Sequence, residues 1–180
     1  LIKKSAMSDS INKTGTYSLQ YGVLLGIITM FFNLMLFILD QHYQGGSLAN
    51  FVNSLIMITV IVFGQMAFKK NNNNLIKLSE CIKIGLGISL ISSIIGLCYY
   101  YILTNFFVLD TTEKALSFAQ DQLILANPRI TQNELDNIAE ISRNFSGFGF
   151  VSTMILIFSL FFGLIFSIIS GLFIKSSKFK

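Results

Sequence analysis

The chain has 180 residues, of which 53% are hydrophobic and only 12% charged, with a mean hydropathy of +0.67, against roughly 25% charged residues in soluble domains. A water-soluble core cannot hide this much Phe, Ile and Leu, so the bilayer must act as solvent for most of the chain. The net charge of +4 then marks Lys at membrane edges, where anionic lipid attracts each basic residue by about 1 kcal/mol, and no nucleic-acid partner is expected.

Residues 1–16 are polar and basic, with Lys3, Lys4 and Lys13, and form a cytoplasmic N-terminal flank. The first span covers 17–39 and ends in a turn over 40–47 that holds Asp40 and His42 but no Lys or Arg. The second span, 48–68, stops at Lys69 and Lys70, which open a cytoplasmic loop over 69–83. The Asn run at 71–74 ends a helix. Leu75, Leu78 and Ile82 then recur at helical spacing, with Lys77, Glu80 and Lys83 on other faces. That spacing predicts a short helix lying in the interface before the chain turns across. The third span covers 84–108, and Tyr99, Tyr100, Tyr101, Phe106 and Phe107 in its outer half suit a headgroup boundary, as do Tyr17 and Tyr21 at the opposite one.

Residues 109–147 form an acidic helical hairpin outside the membrane. Its first helix starts near Thr111 or Thr112, carries Leu116, Ala119, Leu123 and Ala126 on one side, and is broken at Asn127-Pro128. Its second starts with a capping box from Thr131 to Glu134, followed by an apolar stripe of Leu135, Ile138, Ile141 and Phe145. The fourth span covers 148–174, and residues 175–180 form a tail with Lys175, Lys178 and Lys180. The last two spans exceed what a bilayer needs, so they either tilt or continue at their outer ends into the hairpin as one packed unit, the second being preferred because it buries the hairpin's apolar stripes.

Charge is sorted by loop. Ten of the thirteen Lys and Arg lie before the first span, between the second and third, or after the fourth; the other two loops hold seven of the nine acids. Basic residues near span ends stay in the cytoplasm. The expected fold is therefore an all-α integral membrane protein with four transmembrane helices, both termini inside, and an extracytoplasmic hairpin between the third and fourth. No cleavable signal is evident, because the first apolar stretch is too long for one and lacks a cleavage site. The chain opens at Leu1, so further sequence is expected before it.

Small residues recur every four positions in the fourth span (Ser159, Gly163, Ser167, Gly171), with shorter ladders in the first (Ser18, Gly22, Gly26) and third (Gly85, Ser89, Ser93). Membrane helices associate where small residues let backbones approach. These faces either pack the four helices together or dock a partner, the fourth span's first. The intramembrane polar residues are Asn33, Asn53 and Gln65, with no ionisable side chain near mid-membrane, which argues against a pump or proton-coupled carrier.

Asp40 with His42 falls short of the three or four ligands of a metal site. Cys81 and Cys98, seventeen positions apart, are separated by about 25 Å of helix and cannot pair. Gly85-Leu86-Gly87 lacks the third glycine of a nucleotide turn. Asn144-Phe145-Ser146 matches a glycosylation sequon but adjoins the membrane. No catalytic residue, cofactor or metal is expected, and the chain does not read as an enzyme.

Tyr21-Gly22 with Gly26 a turn later, the basic close at Lys69-Lys70 and the acidic helical insert between the last two spans resemble a family of small four-span bacterial membrane proteins of unknown function. The resemblance covers most of the chain. It implies the same topology and a bacterial inner membrane, and brings no activity. Two functions are expected from the residues. The first is a non-catalytic accessory subunit of a larger inner-membrane complex, such as export or respiratory machinery, docked through the small-residue faces and the hairpin. The second is a homo-oligomeric channel or carrier for neutral solutes, with Asn33, Asn53 and Gln65 along a polar path.

Overall fold

The computed structural model describes the backbone of residues 2–41, 46–107 and 111–176, and the side chains within them except at 2–13, 111 and 112. His42, Asp110, Lys178 and Lys180 lie outside the described residues, as do the side chains of Lys3, Lys4 and Lys13. Among the described residues the protein is all-α: α1 (Ile2–Ile38), α2 (Ser47–Asn71), α3 (Leu78–Ile102), α4 (Thr111–Ala126), α5 (Gln132–Asn144) and α6 (Phe148–Ile174), with a π-helical turn, Leu103–Phe107, closing α3. Thr14–Ile38, Ser47–Asn71, Leu78–Phe107 and Phe148–Ile174 are long and apolar enough to cross a membrane. A helix of 25 residues, the shortest of these, is about 37 Å long against a hydrocarbon core of about 30 Å.

The N-terminal flank is helical and continuous with the span, since α1 starts at Ile2 and runs unbroken into it. Nothing in the flank stops a helix: there is no proline, and the lone Gly15 costs only about 1 kcal/mol. The expected short interfacial helix is absent. Residues 75–77 are non-helical, and α3 starts at Leu78, where the Glu80 carboxylate accepts the Lys77 N–H at 2.8 Å. Ile76, fully buried, is instead pinned to the end of α6. Its N–H donates to Ser176 Oγ (3.1 Å), and its carbonyl accepts the Ser176 N–H (3.0 Å). Asn73 and Asn74 take the left-handed turn before it, at φ 53° and 59°, a region that Asn tolerates better than most residues.

Helix α3 lies between α1 and α6, and α2 closes the ring by touching α1 and α6. The core is Leu25, Val60, Ile61, Phe68, Ile76, Cys81, Ile84 and Ile88, with Tyr17 edge-on to Phe68 at 5.6 Å. It fills the end of the bundle that carries Lys69 and Lys70. Towards the other end packing thins: no residue of α2 before Val60, and none of α6 before Gly163, is buried.

The hairpin forms through its own contacts. Thr131 and Glu134 cap α5 reciprocally, at 3.4 and 2.8 Å. Leu116, Leu135 and Ala139 are buried, but Ala119, Ala126, Ile141 and Phe145 are exposed, so each apolar stripe is narrower than its spacing predicts. The hairpin was expected to pack as one unit with the ends of the last two spans. Instead α4 pairs mainly with α5, and neither forms a substantial interface with α3 or α6. The bend at Ser146 and Gly147 separates α5 from α6 and leaves Phe145 against Phe150, ring centroids 4.8 Å apart.

Candidate functional site

The small-residue ladders face one another across this chain's own helices. A Cβ on Gly163 would lie 2.7 Å from Ser89 Cβ, one on Gly85 2.7 Å from Ser167 Cβ, and one on Gly171 2.9 Å from Cys81 Cβ. Ser159 Oγ donates to Ser89 O at 3.1 Å. The ladder of the fourth span is therefore matched to that of the third inside the bundle, and its small face is not open to a partner. The first span's ladder packs on the other side of α3. A Cβ on Gly22 would meet Ile91 and one on Gly26 would meet Ile95, both at 2.7 Å, and Ser18 Oγ donates to Ile84 O (3.3 Å) and Thr14 O (3.0 Å). Ser93 is buried and satisfied by Leu90 O at 2.8 Å. Gly64, which no ladder signalled, does the same for α2, where a Cβ would lie 2.8 Å from Ile88 Cδ1.

The three intramembrane polar residues separate. Gln65 is fully buried in the tight end, where its Nε2 donates weakly to Cys81 O (3.3 Å) and Ser167 O (3.5 Å). Its Oε1 and the Ser167 hydroxyl have no hydrogen-bond partner. Gln65 is thus part of a plug with Ile61, Ile84 and Ile88 rather than a lining of any path.

Asn33 and Asn53 do come together, in the loosely packed half. They line a cavity of about 590 Å³ between α1, α2, α3 and α6, with Thr29, Asn50, Ser54, Ser92 and Ser159 as its other polar walls and Leu25, Met57, Ile155 and three Phe rings as its apolar ones. Among the described residues no ionisable side chain lines it. Its hydroxyls and amides partly satisfy themselves along their helices: Asn33 Nδ2 donates to Thr29 O (2.7 Å), Thr29 Oγ1 to Leu25 O (2.9 Å) and Ser54 Oγ to Asn50 O (2.9 Å). Thr29, Asn33 and Ile155 also line a smaller cavity of about 270 Å³. Tyr99, whose buried hydroxyl has no hydrogen-bond partner among the described residues, lines it too. Thr29, Asn50, Ser54 and Ser92 were not singled out from sequence, and Tyr99 was read only as a ring at the headgroup boundary. The signal was present as Thr29 four positions before Asn33 and as Asn50, Asn53 and Ser54 on one helical face.

The hairpin acids are spread out except for one clamp. Arg143 Nε and Nη2 donate to the two carboxylate oxygens of Glu113, at 3.1 and 3.0 Å, joining the start of α4 to the end of α5. The guanidinium holds the Glu113 carboxyl below its ordinary range, and the Thr131 backbone N–H and then its hydroxyl do so for Glu134. Among the described residues no group of three or more His, Cys, Asp or Glu is placed to hold a metal ion. Asp40 serves as a helix stop: at φ 53° it lets Gln41 N–H reach back to Leu36 O at 2.8 Å, a Schellman turn. Cys81 is buried and Cys98 exposed, both as free thiols. Gly85 faces Ser167 of α6 and Gly87 faces Ser18 of α1, so that pair is packing.

Residues 20–176 match the family described as "Protein of unknown function (DUF4199)". No curated protein and no solved structure matches the chain. The match spans most of the sequence, and the chain belongs to this family of unknown function.

Proposed function

We propose that this chain is a multi-pass protein of the bacterial cytoplasmic membrane, termini inside, that binds and carries a small neutral polar solute in the cavity around Asn33 and Asn53. The cavity carries the reading: about 590 Å³ of space between membrane-compatible helices, walled by amides and hydroxyls without a charge, lies within the size range of small-molecule sites. The charge sorting supports the orientation, with the hairpin outside. The plug of Ile61, Gln65, Ile84 and Ile88 argues for a carrier that alternates rather than a channel standing open along one chain. Purified full chain in liposomes, tested by stopped-flow light scattering with glycerol and urea, should swell faster than empty liposomes. Asn53→Leu should remove the excess while leaving the chain folded. Swelling equal to empty liposomes for both solutes, with no thermal stabilisation by either, would overturn the proposal.

The accessory-subunit reading keeps one supporting observation. Ile124, Leu125, Ile141 and Phe145 are exposed on the hairpin, at 44, 74, 57 and 53%, and hairpin surface outside a bilayer has no lipid to cover it. Extraction in mild detergent followed by native mass measurement tests that reading. A stoichiometric partner lost in Leu125→Ser supports it, and a lone monomer sinks it.

A further inference from the structure

We propose that a groove between α2 and α6, at the end of the bundle carrying Lys69 and Lys70, binds one anionic phospholipid. The groove holds about 790 Å³ and is lined by Tyr21, Phe63, Met66, Lys69, Lys70 and Phe173 among others, and it shares no lining residue with the Asn33 cavity. Its chemistry is divided along its length. Lys69 and Lys70 stand together at one end, and among the described residues no carboxylate lines the site. Lys69 is held in place by donating from Nζ to Ile174 O at 2.8 Å, which leaves two ammonium protons for a ligand. Below the lysines Phe63 and Met66 are 56 and 52% exposed, and level with Lys69, beside the Ile174 carbonyl that it binds, Phe173 is 86% exposed. Phe63 precedes Lys70 by seven positions, about 10 Å down the helix, the depth at which acyl chains begin beneath a phosphate held by the lysines.

A free phosphate would leave that apolar floor uncovered, and a zwitterionic headgroup would place its own cation against two ammonium groups. Paired lysines over apolar walls between membrane helices therefore select an anionic lipid.

Native mass spectrometry of the delipidated full chain, titrated with phosphatidylglycerol or phosphatidylcholine of identical acyl chains, tests this. The expected result is one phosphatidylglycerol bound with about 25-fold preference, about fivefold for each lysine. Lys70→Gln should cut that binding about fivefold, and Lys70→Arg should restore it. Lys83→Gln, at the same end but outside the groove, should leave it unchanged. Met66→Ser should weaken both lipids while keeping the preference. Equal binding of the two lipids, an equal loss in Lys83→Gln, or displacement of the lipid by inorganic phosphate would each overturn the proposal. The thermal unfolding of each variant separates lost binding from lost fold, and neither result bears on the Asn33 cavity.

Discussion

Alanine at Gly163 adds one methyl group where α6 meets α3, and the structure leaves that methyl nowhere to go. It would lie 2.7 Å from Ser89 Cβ and 3.4 Å from Met57 Cε, where carbon atoms settle at about 3.5–4.0 Å. Ser89 cannot swing clear: it is fully buried, and its Oγ is bonded to Gly85 O at 2.8 Å. The two helices must separate by the better part of an ångström, and with Ser89 fixed the cost falls in the upper part of the overpacking range, about 2–3 kcal/mol. Alanine's better helix propensity returns up to about 1 kcal/mol. The net expectation is a loss of about 1–2 kcal/mol, or a fall in Tm of about 2–8 °C for a chain of this size. Cys81 provides the assay. It is buried in the core while Cys98 is exposed, so in a Cys98→Ala background a thiol-reactive fluorophore reports unfolding through Cys81 alone. Gly149→Ala, where a Cβ meets nothing within 4 Å, should be neutral or slightly stabilising. Removing the opposing side chain should rescue the clash, so Gly163→Ala with Ser89→Gly should lose less than the sum of the two single changes. If Gly163→Ala melted with the wild type, or if the two changes simply added, the facing of α3 and α6 argued here would be wrong.

Other sites make further predictions. Gln65→Leu should keep or raise the Tm, since it replaces a buried Oε1 without a partner, whose burial costs about 1–3 kcal/mol; Gln65→Ala should lower it by about 2 kcal/mol or more. Thr131→Ala should destabilise the hairpin by about 1 kcal/mol, read as faster amide exchange in α5. Because Arg143 lowers the Glu113 pKa below its ordinary 4.5, the clamp contributes in full above that value and is lost as pH falls below it through the folded value. Spin labels at Ser117 and Glu140 should therefore show a broadening distance distribution on acidification, with the Glu113 component absent in Arg143→Gln.

The spans were legible because a 25-residue apolar run has few alternatives, and the cap at Thr131 because a capping box is a local device. What sequence could not supply was which face meets which. Ser159, Gly163, Ser167 and Gly171 announce a close approach, but the same four residues would serve a partner or a neighbour. Only the matching of Gly163 to Ser89 and Gly85 to Ser167 assigns them to the bundle. Gln65 and Asn53 both read as intramembrane polar residues twelve positions apart on one helix, yet α2 is tightly packed at one and loosely at the other. That taper arises from contacts between four segments and has no signature in any one of them. The interfacial helix failed for a related reason: Ile76 is fixed by Ser176, one hundred residues away, and local periodicity cannot see it.

Binding and carriage of a solute by this chain require a bundle that is open around Asn53 and shut around Ile61. Single cysteines at those positions, in a chain whose own Cys81 and Cys98 are alanine, can be challenged in sealed vesicles with a membrane-impermeant charged thiol reagent. Asn53→Cys should react from the hairpin side, and Ile61→Cys from neither side. An unreactive Asn53→Cys, or an Ile61→Cys that reacts from either side, would contradict the solute-binding proposal.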